Sequence, residues 1–171
     1  MRKKKKIVSV IGPSKSNCTP EIYEFGLKLG KAIIDLDFII VCGGMHGIMQ
    51  AVCKGAKQSS NYKYGCTIGI IPTYNKNDAN IFCDIVIPTG IGLSRNQIIA
   101  NTGDILIAVS GGAGTLSEIA FGWQMNKKVI CYTEFDGWAK NLAGKNLDTK
   151  HKGLLLSAKN LKQVVDYLKS V

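Results

Sequence analysis

DILIAVSGGAGTLSE, residues 104–118, is the stretch on which the fold of this chain depends. Its first part is a short apolar run, Leu106 to Val109, which predicts a parallel strand covered on both faces. Its second part is a loop with three glycines, and apolar residues at helical spacing follow that loop. The stretch therefore predicts a buried strand, a sharp turn and a helix N-terminus in direct succession.

The turn after this strand is typical of an anion site. The first N–H groups of a helix have no partner inside the helix, and the helix dipole favours negative charge there. Glycines let the backbone come close to a ligand, and a threonine adds a hydroxyl. We predict that a phosphate group binds at this loop, the alternative being a tight turn that binds nothing. The residues predicted to bind it are Gly111, Gly112, Ala113, Gly114 and Thr115.

Two charged residues are expected beside the phosphate. Glu118 lies one turn into the helix. Because a carboxylate does not hold a phosphate, its position indicates another task, such as binding a sugar hydroxyl or stabilising a developing cation. Arg95 begins another predicted helix, where a positive charge opposes the helix dipole unless an anion shares the site. A structural salt bridge between the two is the alternative.

Strands and helices alternate along the whole chain, which predicts an α/β fold with a Rossmann-like, doubly wound parallel sheet and helices on both faces. The predicted strand order is 3-2-1-4-5-6, with ligands bound beyond the carboxyl ends of the strands, near the switch between strands 1 and 4. A short edge strand is expected near Leu154–Leu156 and a short helix near Trp138. The six main strands are predicted at Ile7–Ile11, Phe38–Cys42, Thr67–Ile71, Asp84–Ile87, Leu106–Val109 and Lys128–Tyr132.

Four loops should then open on one edge of the sheet. CGGMHGIM, residues 42–49, is a second glycine loop that leads from a strand into a helix. His46 in this loop could contact a ligand, although a lone loop histidine is more often merely exposed. The further residues predicted to bind the ligand are Gly12, Ser14, Gly43, Gly44, Arg95, Asn96 and Glu118.

Size and composition fit one domain over residues 1–171, with a solvated basic tail at residues 1–6. The net charge of +10 favours anionic partners, either phosphorylated small molecules or nucleic acid. Because Arg2 to Lys6 supply five of the 22 positive charges, nucleic acid is the less favoured partner. No apolar run reaches the ~18 residues that a membrane span requires.

The cysteines predict neither a disulfide framework nor a metal site. They are scattered without a C-x-x-C pair, and several lie in apolar runs, which is typical of buried thiols in a reducing cytoplasm. His46 and His151 lie too far apart in sequence to suggest a metal pair. The six cysteines are Cys18, Cys42, Cys53, Cys66, Cys83 and Cys131.

SGGAGTLSEIA at residues 110–120 resembles the PGGxGTxxE signature of the LONELY GUY (LOG) phosphoribohydrolases and of the related molybdenum cofactor carrier proteins. Arg95 stands where the family's Arg-Lys pair begins, and CGGMHGIM resembles the family's first glycine motif. The chain departs from the family's pattern at three residues: Ser110 replaces a proline, Met45 a glycine and Asn96 a lysine. The Arg95-Asn96 pair and the loop without proline look closer to the carrier-like branch.

The resemblance implies a binding protein for a nucleoside monophosphate or a molybdopterin-type cofactor, with no cofactor required. The first alternative is a phosphoribohydrolase that releases free base and ribose 5-phosphate from a nucleoside 5′-monophosphate, with Arg95 and Glu118 as catalytic residues. The second is a single-stranded DNA binder like the similarly folded DNA-processing proteins, in which Tyr62, Tyr64 and Tyr74 would stack on bases. The alternative for these tyrosines, and the more usual one, is an exposed position on a loop.

The family's frequent label, possible lysine decarboxylase, is rejected on chemistry. Amine-forming decarboxylation needs an electron sink such as pyridoxal phosphate on a lysine, and only Lys15 lies in a candidate loop. The resemblance also implies a homodimer or a higher oligomer built from dimers. Trp123 and Met125 are candidate anchors of that interface, with burial in the core as the alternative.

Overall fold

The structure is a computed structural model that describes residues 4–171. Strands and helices alternate through this part of the chain, as predicted. The strands are β1 (Ile7–Ile11), β2 (Ile39–Cys42), β3 (Thr67–Ile71), β4 (Ile85–Pro88), β5 (Ile105–Val109), β6 (Val129–Tyr132) and β7 (Leu155–Ala158). The helices are α1 (Pro20–Asp35), α2 (Ile48–Ala56), α3 (Arg95–Thr102), α4 (Ala113–Gln124), α5 (Trp138–Leu142) and α6 (Leu161–Lys169).

All seven strands belong to one parallel sheet in the order β4-β3-β2-β1-β5-β6-β7. The predicted Rossmann-like class is confirmed, but the predicted order 3-2-1-4-5-6 is wrong. The strand beside β1 is β5, and β4 instead pairs with β3 at the edge of the sheet. The reversal of strand order therefore lies between β1 and β5.

The burial of the two strands explains this correction. All five residues of β5 are buried, as a central strand requires, whereas β4 alternates between exposed and half-buried positions. Pro88 ends β4 and has no N–H to give to a further strand, which suits an edge. Just before β4, the Asp84 carboxylate accepts hydrogen bonds from the N–H groups of Gly65 (3.0 Å) and Thr67 (3.2 Å), which holds β4 against β3.

Helices cover both faces of the sheet, as predicted. Buried residues of α1, α2 and α6 form one core with the sheet, and those of α3, α4 and α5 form the other. Trp123 belongs to the second core: it is 1% exposed, and its Nε1 donates to Asp148 Oδ1 at 3.0 Å. The interpretation of Trp123 as an interface anchor is therefore wrong, whereas Met125 is half-buried.

The first three residues of the predicted basic tail lie outside the described residues. Lys4 to Lys6 are exposed, and Lys5 pairs with Asp37. Among residues 4–171, no helix combines the length and the apolar character that crossing a bilayer would demand.

Candidate functional site

A cavity of about 270 Å³ lies beyond the carboxyl ends of β1, β2 and β5. Residues that follow each of these strands line it, so it occupies the position at which ligands bind in doubly wound sheets. Its lining consists of Val10, Ile11, Gly12, Pro13, Ser14, Asn17, Gly43, Met49, Leu93, Arg95, Asn96, Gly112, Ala113, Gly114, Thr115 and Glu118.

The fold brings the predicted site residues together in this one place. Ten of the twelve line the cavity, and the two exceptions are Gly44 and Gly111. Both exceptions have positive φ angles, +69° and +91°, so they turn the backbone of their loops. A side chain on Gly44 would also collide with Gly69 of β3, whose Cα lies 2.9 Å from the Cβ position. The ligand-binding role of all twelve stays a prediction.

The loop before α4 is open to the cavity. Gly112 is the N-cap of α4. In the part of the chain that the structure describes, no side chain caps the helix and no atom would lie within 4 Å of a Cβ on Gly112. The backbone N–H groups of the first helical turn are therefore unobstructed from this side, and they carry the positive end of the helix dipole. The loop has the geometry that an anion requires.

Ser110 sets the angle at which the chain enters this loop. Its φ is +51°, in the left-handed region, and its hydroxyl donates to Asp136 O at 2.7 Å. The start of α5 braces the same turn, since the Ala139 N–H donates to Ser110 O at 3.0 Å. Proline is fixed near φ −65°, so the proline of the resembled motif could not adopt this turn.

Arg95 and Glu118 face each other in the cavity wall. Arg95 is 8% exposed and Glu118 is 7% exposed, and Arg95 Nη1 lies 3.9 Å from Glu118 Oε1. The contact is long for an ion pair, and within residues 4–171 the buried Nε of Arg95 has no hydrogen-bond partner. Gly43 makes room for the guanidinium, because a Cβ at residue 43 would lie 2.6 Å from Nη2.

Burial controls the charge of this pair. It raises the pKa of Glu118 to about 8, and the positive charge of Arg95 opposes that rise. Burial also lowers the pKa of Arg95, although the guanidinium keeps its proton near neutral pH. A protonated Glu118 beside a charged Arg95 leaves the cavity wall positive, which suits an anionic ligand.

Asn96 connects α3 to the start of α4. Its Oδ1 accepts a hydrogen bond from Arg95 Nη1, and its Nδ2 donates to Ser117 Oγ at 2.9 Å. Ser117 Oγ in turn donates to Gly114 O at 2.7 Å. A lysine at residue 96 could not accept from Arg95, so Asn96 gives the arginine an orientation that the resembled Arg-Lys pair would not.

Sequence reasoning missed several lining residues. Met49 and Leu93 line the cavity but are not among the predicted binding residues, and the highly exposed Leu93 had no periodic pattern to distinguish it. His46 lies outside the cavity but lines a wider groove of about 650 Å³ that shares Ser14, Met49 and Arg95 with it. Only the fold could show that these segments adjoin.

Residues 5–165 match the SLOG cluster4 family, and the chain belongs to that family. An uncharacterized protein of Archaeoglobus fulgidus is 38% identical over 122 residues, which are 71% of this chain and 76% of the relative. Two relatives are cytokinin riboside 5′-monophosphate phosphoribohydrolases. The Mycobacterium marinum enzyme is 30% identical and is matched over 72% of both chains. The Mycobacterium tuberculosis enzyme is 32% identical, with 60% of this chain and 54% of the enzyme matched.

Two of the solved structures that this chain resembles are those of molybdenum cofactor binding or carrier proteins. The molybdenum cofactor binding protein of Rippkaea orientalis is 29% identical with a TM-score of 0.82, over 98% of this chain and 97% of that one. The molybdenum cofactor carrier protein of Chlamydomonas reinhardtii is also 29% identical with a TM-score of 0.82, over 97% and 98%. DNA processing protein A of Helicobacter pylori is 18% identical with a TM-score of 0.68, over 96% and 80%, and shares the fold alone. The predicted membership of the LOG and molybdenum cofactor carrier superfamily is confirmed.

Proposed function

We propose that this protein is a binding or carrier protein for a phosphorylated, nucleotide-like small molecule. The observation that carries the proposal is the uncapped N-terminus of α4, which opens through Gly112 onto the cavity that also contains the Arg95 guanidinium. The phosphate would accept hydrogen bonds from the first turn of α4, and Arg95 would supply the compensating charge.

The electrostatics of the wall support an anionic ligand. The buried Nε–H of Arg95 is a donor that has no acceptor among the described residues, and a buried donor without an acceptor costs about 1–3 kcal/mol. A Glu118 that keeps its proton does not repel a phosphate. Both features favour a ligand with several anionic oxygens over a neutral one.

The groove beside the cavity gives room for the rest of the ligand. It is lined by Met45, His46 and Met49, which offer apolar and polarisable contacts to a flat ring. A molybdopterin-type cofactor would fit this arrangement, with its phosphate held at α4 and its pterin in the groove. The protein's own residues would then bind and shield the cofactor, whose redox chemistry would serve another protein.

A phosphoribohydrolase is the second candidate, and the buried Arg95–Glu118 pair favours it. Hydrolysis breaks the bond between ribose C1′ and the base nitrogen, and the bond electrons leave with the base. Water adds to C1′ and loses a proton, while the base nitrogen gains one. Protonated Glu118 would hold the ribose hydroxyls, and only its ionised form would stabilise the cationic sugar. Arg95 would orient the phosphate or help the base leave.

The test is incubation of the protein with AMP and other nucleoside monophosphates, followed by separation of free bases. Isothermal titration of the same compounds measures binding, and Glu118→Gln and Arg95→Ala are compared with the wild type. Binding without base release supports the carrier. Base release that both variants lose establishes the hydrolase, and wild-type protein that does neither, with or without a pterin phosphate, refutes both.

A single-stranded DNA binder is distinguished by salt. DNA affinity falls steeply with salt because phosphate contacts release counterions. Tyr62 is half-buried, and its hydroxyl donates to the Asp84 carboxylate at 2.5 Å, so it is not free to stack. We expect weak DNA binding that mononucleotides do not displace. Tight, salt-sensitive DNA binding that Gly112→Val abolishes would contradict the small-molecule proposal.

A further inference from the structure

Three cysteines that lie far apart in sequence come together under the second glycine loop. Cys42 ends β2, Cys53 lies in α2 and Cys83 precedes β4. Cys42 Sγ is 3.7 Å from Cys53 Sγ, and Cys53 Sγ is 3.9 Å from Cys83 Sγ. All three sulfur atoms lie within 4.8 Å of one another, and all three thiols are free. We call these residues the thiol cluster.

We propose that the thiol cluster binds one soft, closed-shell monovalent metal cation of the Cu(I) class through three thiolates. Two thiolates on one metal at about 2.3 Å each are about 3.8–4.0 Å apart, which the two short sulfur distances already match. Soft thiolate ligands select such metals. Binding would release the thiol protons to solvent.

The number of donors distinguishes this site from a structural zinc site. Zinc in structural sites takes four ligands. The group in the described part of the chain has three members. The nearest acid in sequence, Asp84, is committed elsewhere, because its carboxylate binds Lys57, Tyr62 and two backbone N–H groups. Three sulfur ligands complete the coordination of Cu(I), whereas a structural zinc site would need a fourth protein ligand.

Hydrogen-bond donors already point at the sulfurs. The Gly44 N–H lies 3.4 Å from Cys42 Sγ, and Asn80 Nδ2 lies 3.4 Å from Cys83 Sγ. Asn80 is 3% exposed and is held in place, since Nδ2 also donates to Met45 O at 2.8 Å and Oδ1 accepts from the Phe82 N–H at 3.1 Å. Such partners orient thiolates and offset their charge.

The cluster also has an entry side. Cys42 and Cys53 are buried, whereas Cys83 is half-buried, so a cation would enter past Cys83 and meet the two deeper thiols next. Gly43, which adjoins Cys42, lines the ligand cavity. A metal at the cluster would therefore fix the loop between the two sites, although the metal proposal does not depend on the ligand proposal.

The experiment is an anaerobic titration of the reduced, full-length protein with Cu(I) against a chromophoric chelator. X-ray absorption of the loaded wild type gives the number of sulfur ligands. We expect one Cu(I) per chain, three sulfur neighbours, and at least a tenfold loss of affinity in Cys83→Ser. Cys131→Ala is the matched control, because Cys131 is a buried thiol outside the cluster, and it should bind like the wild type.

Several results would overturn the proposal. One is a wild type that binds no Cu(I) in competition with the chelator. Another is a bound copper with only two sulfur neighbours that the Cys18→Ser variant no longer binds, because Cys18 lies outside the thiol cluster. Equal affinity in Cys83→Ser and the wild type would also refute it, as would tighter binding of Zn(II) than of Cu(I). The X-ray absorption of the wild type decides the question even if a cysteine variant fails to fold.

Discussion

At the scale of single residues, two neighbouring glycines have different tasks. Gly111 has a φ of +91°, and a Cβ there would overlap the Thr115 side chain, so residue 111 requires glycine for the turn. Gly112 has φ −100° and ψ −151°, which any residue can adopt, and its missing side chain leaves the cavity open. Glycine at residue 112 therefore keeps the cavity accessible, and the backbone conformation there does not require it.

Replacing Gly112 by valine should abolish mononucleotide binding and leave the fold intact. The new side chain would extend into the cavity, while the lost N-cap preference costs at most about 1 kcal/mol. Calorimetric titration measures the binding, and urea unfolding measures the stability. Gly111→Val is the contrasting variant, and it should lose stability by more than Gly112→Val because of strain and the Thr115 overlap. Unchanged nucleotide affinity in Gly112→Val would place the phosphate elsewhere.

Glu118 should make the stability of the protein depend on pH. Its pKa rises from 4.5 to about 8 on folding, so between these pH values the folded state keeps a proton that the unfolded state has lost. The contribution of Glu118 to the free energy of unfolding is therefore greatest below pH 4.5. It falls as the pH rises from 4.5 to about 8, by up to about 1.4 kcal/mol per pH unit.

Glu118→Gln removes this contribution and isolates it. We expect the wild type to lose stability relative to Glu118→Gln as the pH rises from 5 to 8, in urea unfolding at each pH. Other groups titrate equally in both proteins, so the difference between the curves reports residue 118. Parallel curves over this range would show that Glu118 ionises normally.

At the scale of elements, α1 and α2 pack closely through glycines. A Cβ on Gly30 would overlap Val52 O and lie 2.8 Å from the Val52 carbonyl carbon. A Cβ on Gly55 would likewise overlap Leu27 O and lie 2.7 Å from that carbonyl carbon. These glycines let two helix backbones approach on one face of the sheet, and α2 begins at the loop that supplies Gly43 to the site.

Gly30→Ala should therefore destabilise the protein, although alanine is the better helix former by about 1 kcal/mol. The added methyl group meets backbone atoms that cannot rotate away, and such overpacking costs about 1–3 kcal/mol. Urea unfolding should show this loss in Gly30→Ala and in Gly55→Ala. Gly112→Ala is the control without a steric conflict, and a stabilised Gly30→Ala would contradict the close approach of α1 and α2.

At the scale of the whole molecule, exposed apolar side chains cluster in sequence around β4 and α3. Ile85 and Ile87 face outward from the edge strand, and Leu93 is 78% exposed beside the cavity. Exposed apolar side chains of this kind favour contact with another chain. Further exposed apolar residues in this part of the chain are Ile81, Ile91 and Ile98.

We expect a homodimer that buries these exposed side chains, as the family resemblance implies. Light scattering at micromolar concentration should give twice the chain mass, and Leu93→Glu combined with Ile98→Glu should give a monomer. Val171→Glu, at an exposed apolar residue far along the chain, should remain a dimer. A wild type that is monomeric at this concentration would exclude the prediction.

The sequence by itself determined the fold class and most of the cavity wall. Alternating strand and helix patterns require a parallel sheet, and the chain direction then brings all loops after the strands to one edge. The glycines at 12, 43 and 112, with Arg95, could therefore be placed together without coordinates.

Only the tertiary structure decided the strand order, the environment of Glu118 and the thiol cluster. Short apolar runs do not distinguish a central strand from an edge strand. The strand order became clear only from the burial of all of β5 and from the hydrogen bonds by which Asp84 holds β4 against β3. The raised pKa of Glu118 comes from burial by residues of other segments. Cys42, Cys53 and Cys83 have no common spacing, because the contact between them is made by packing β2, α2 and the start of β4, which a linear pattern does not encode.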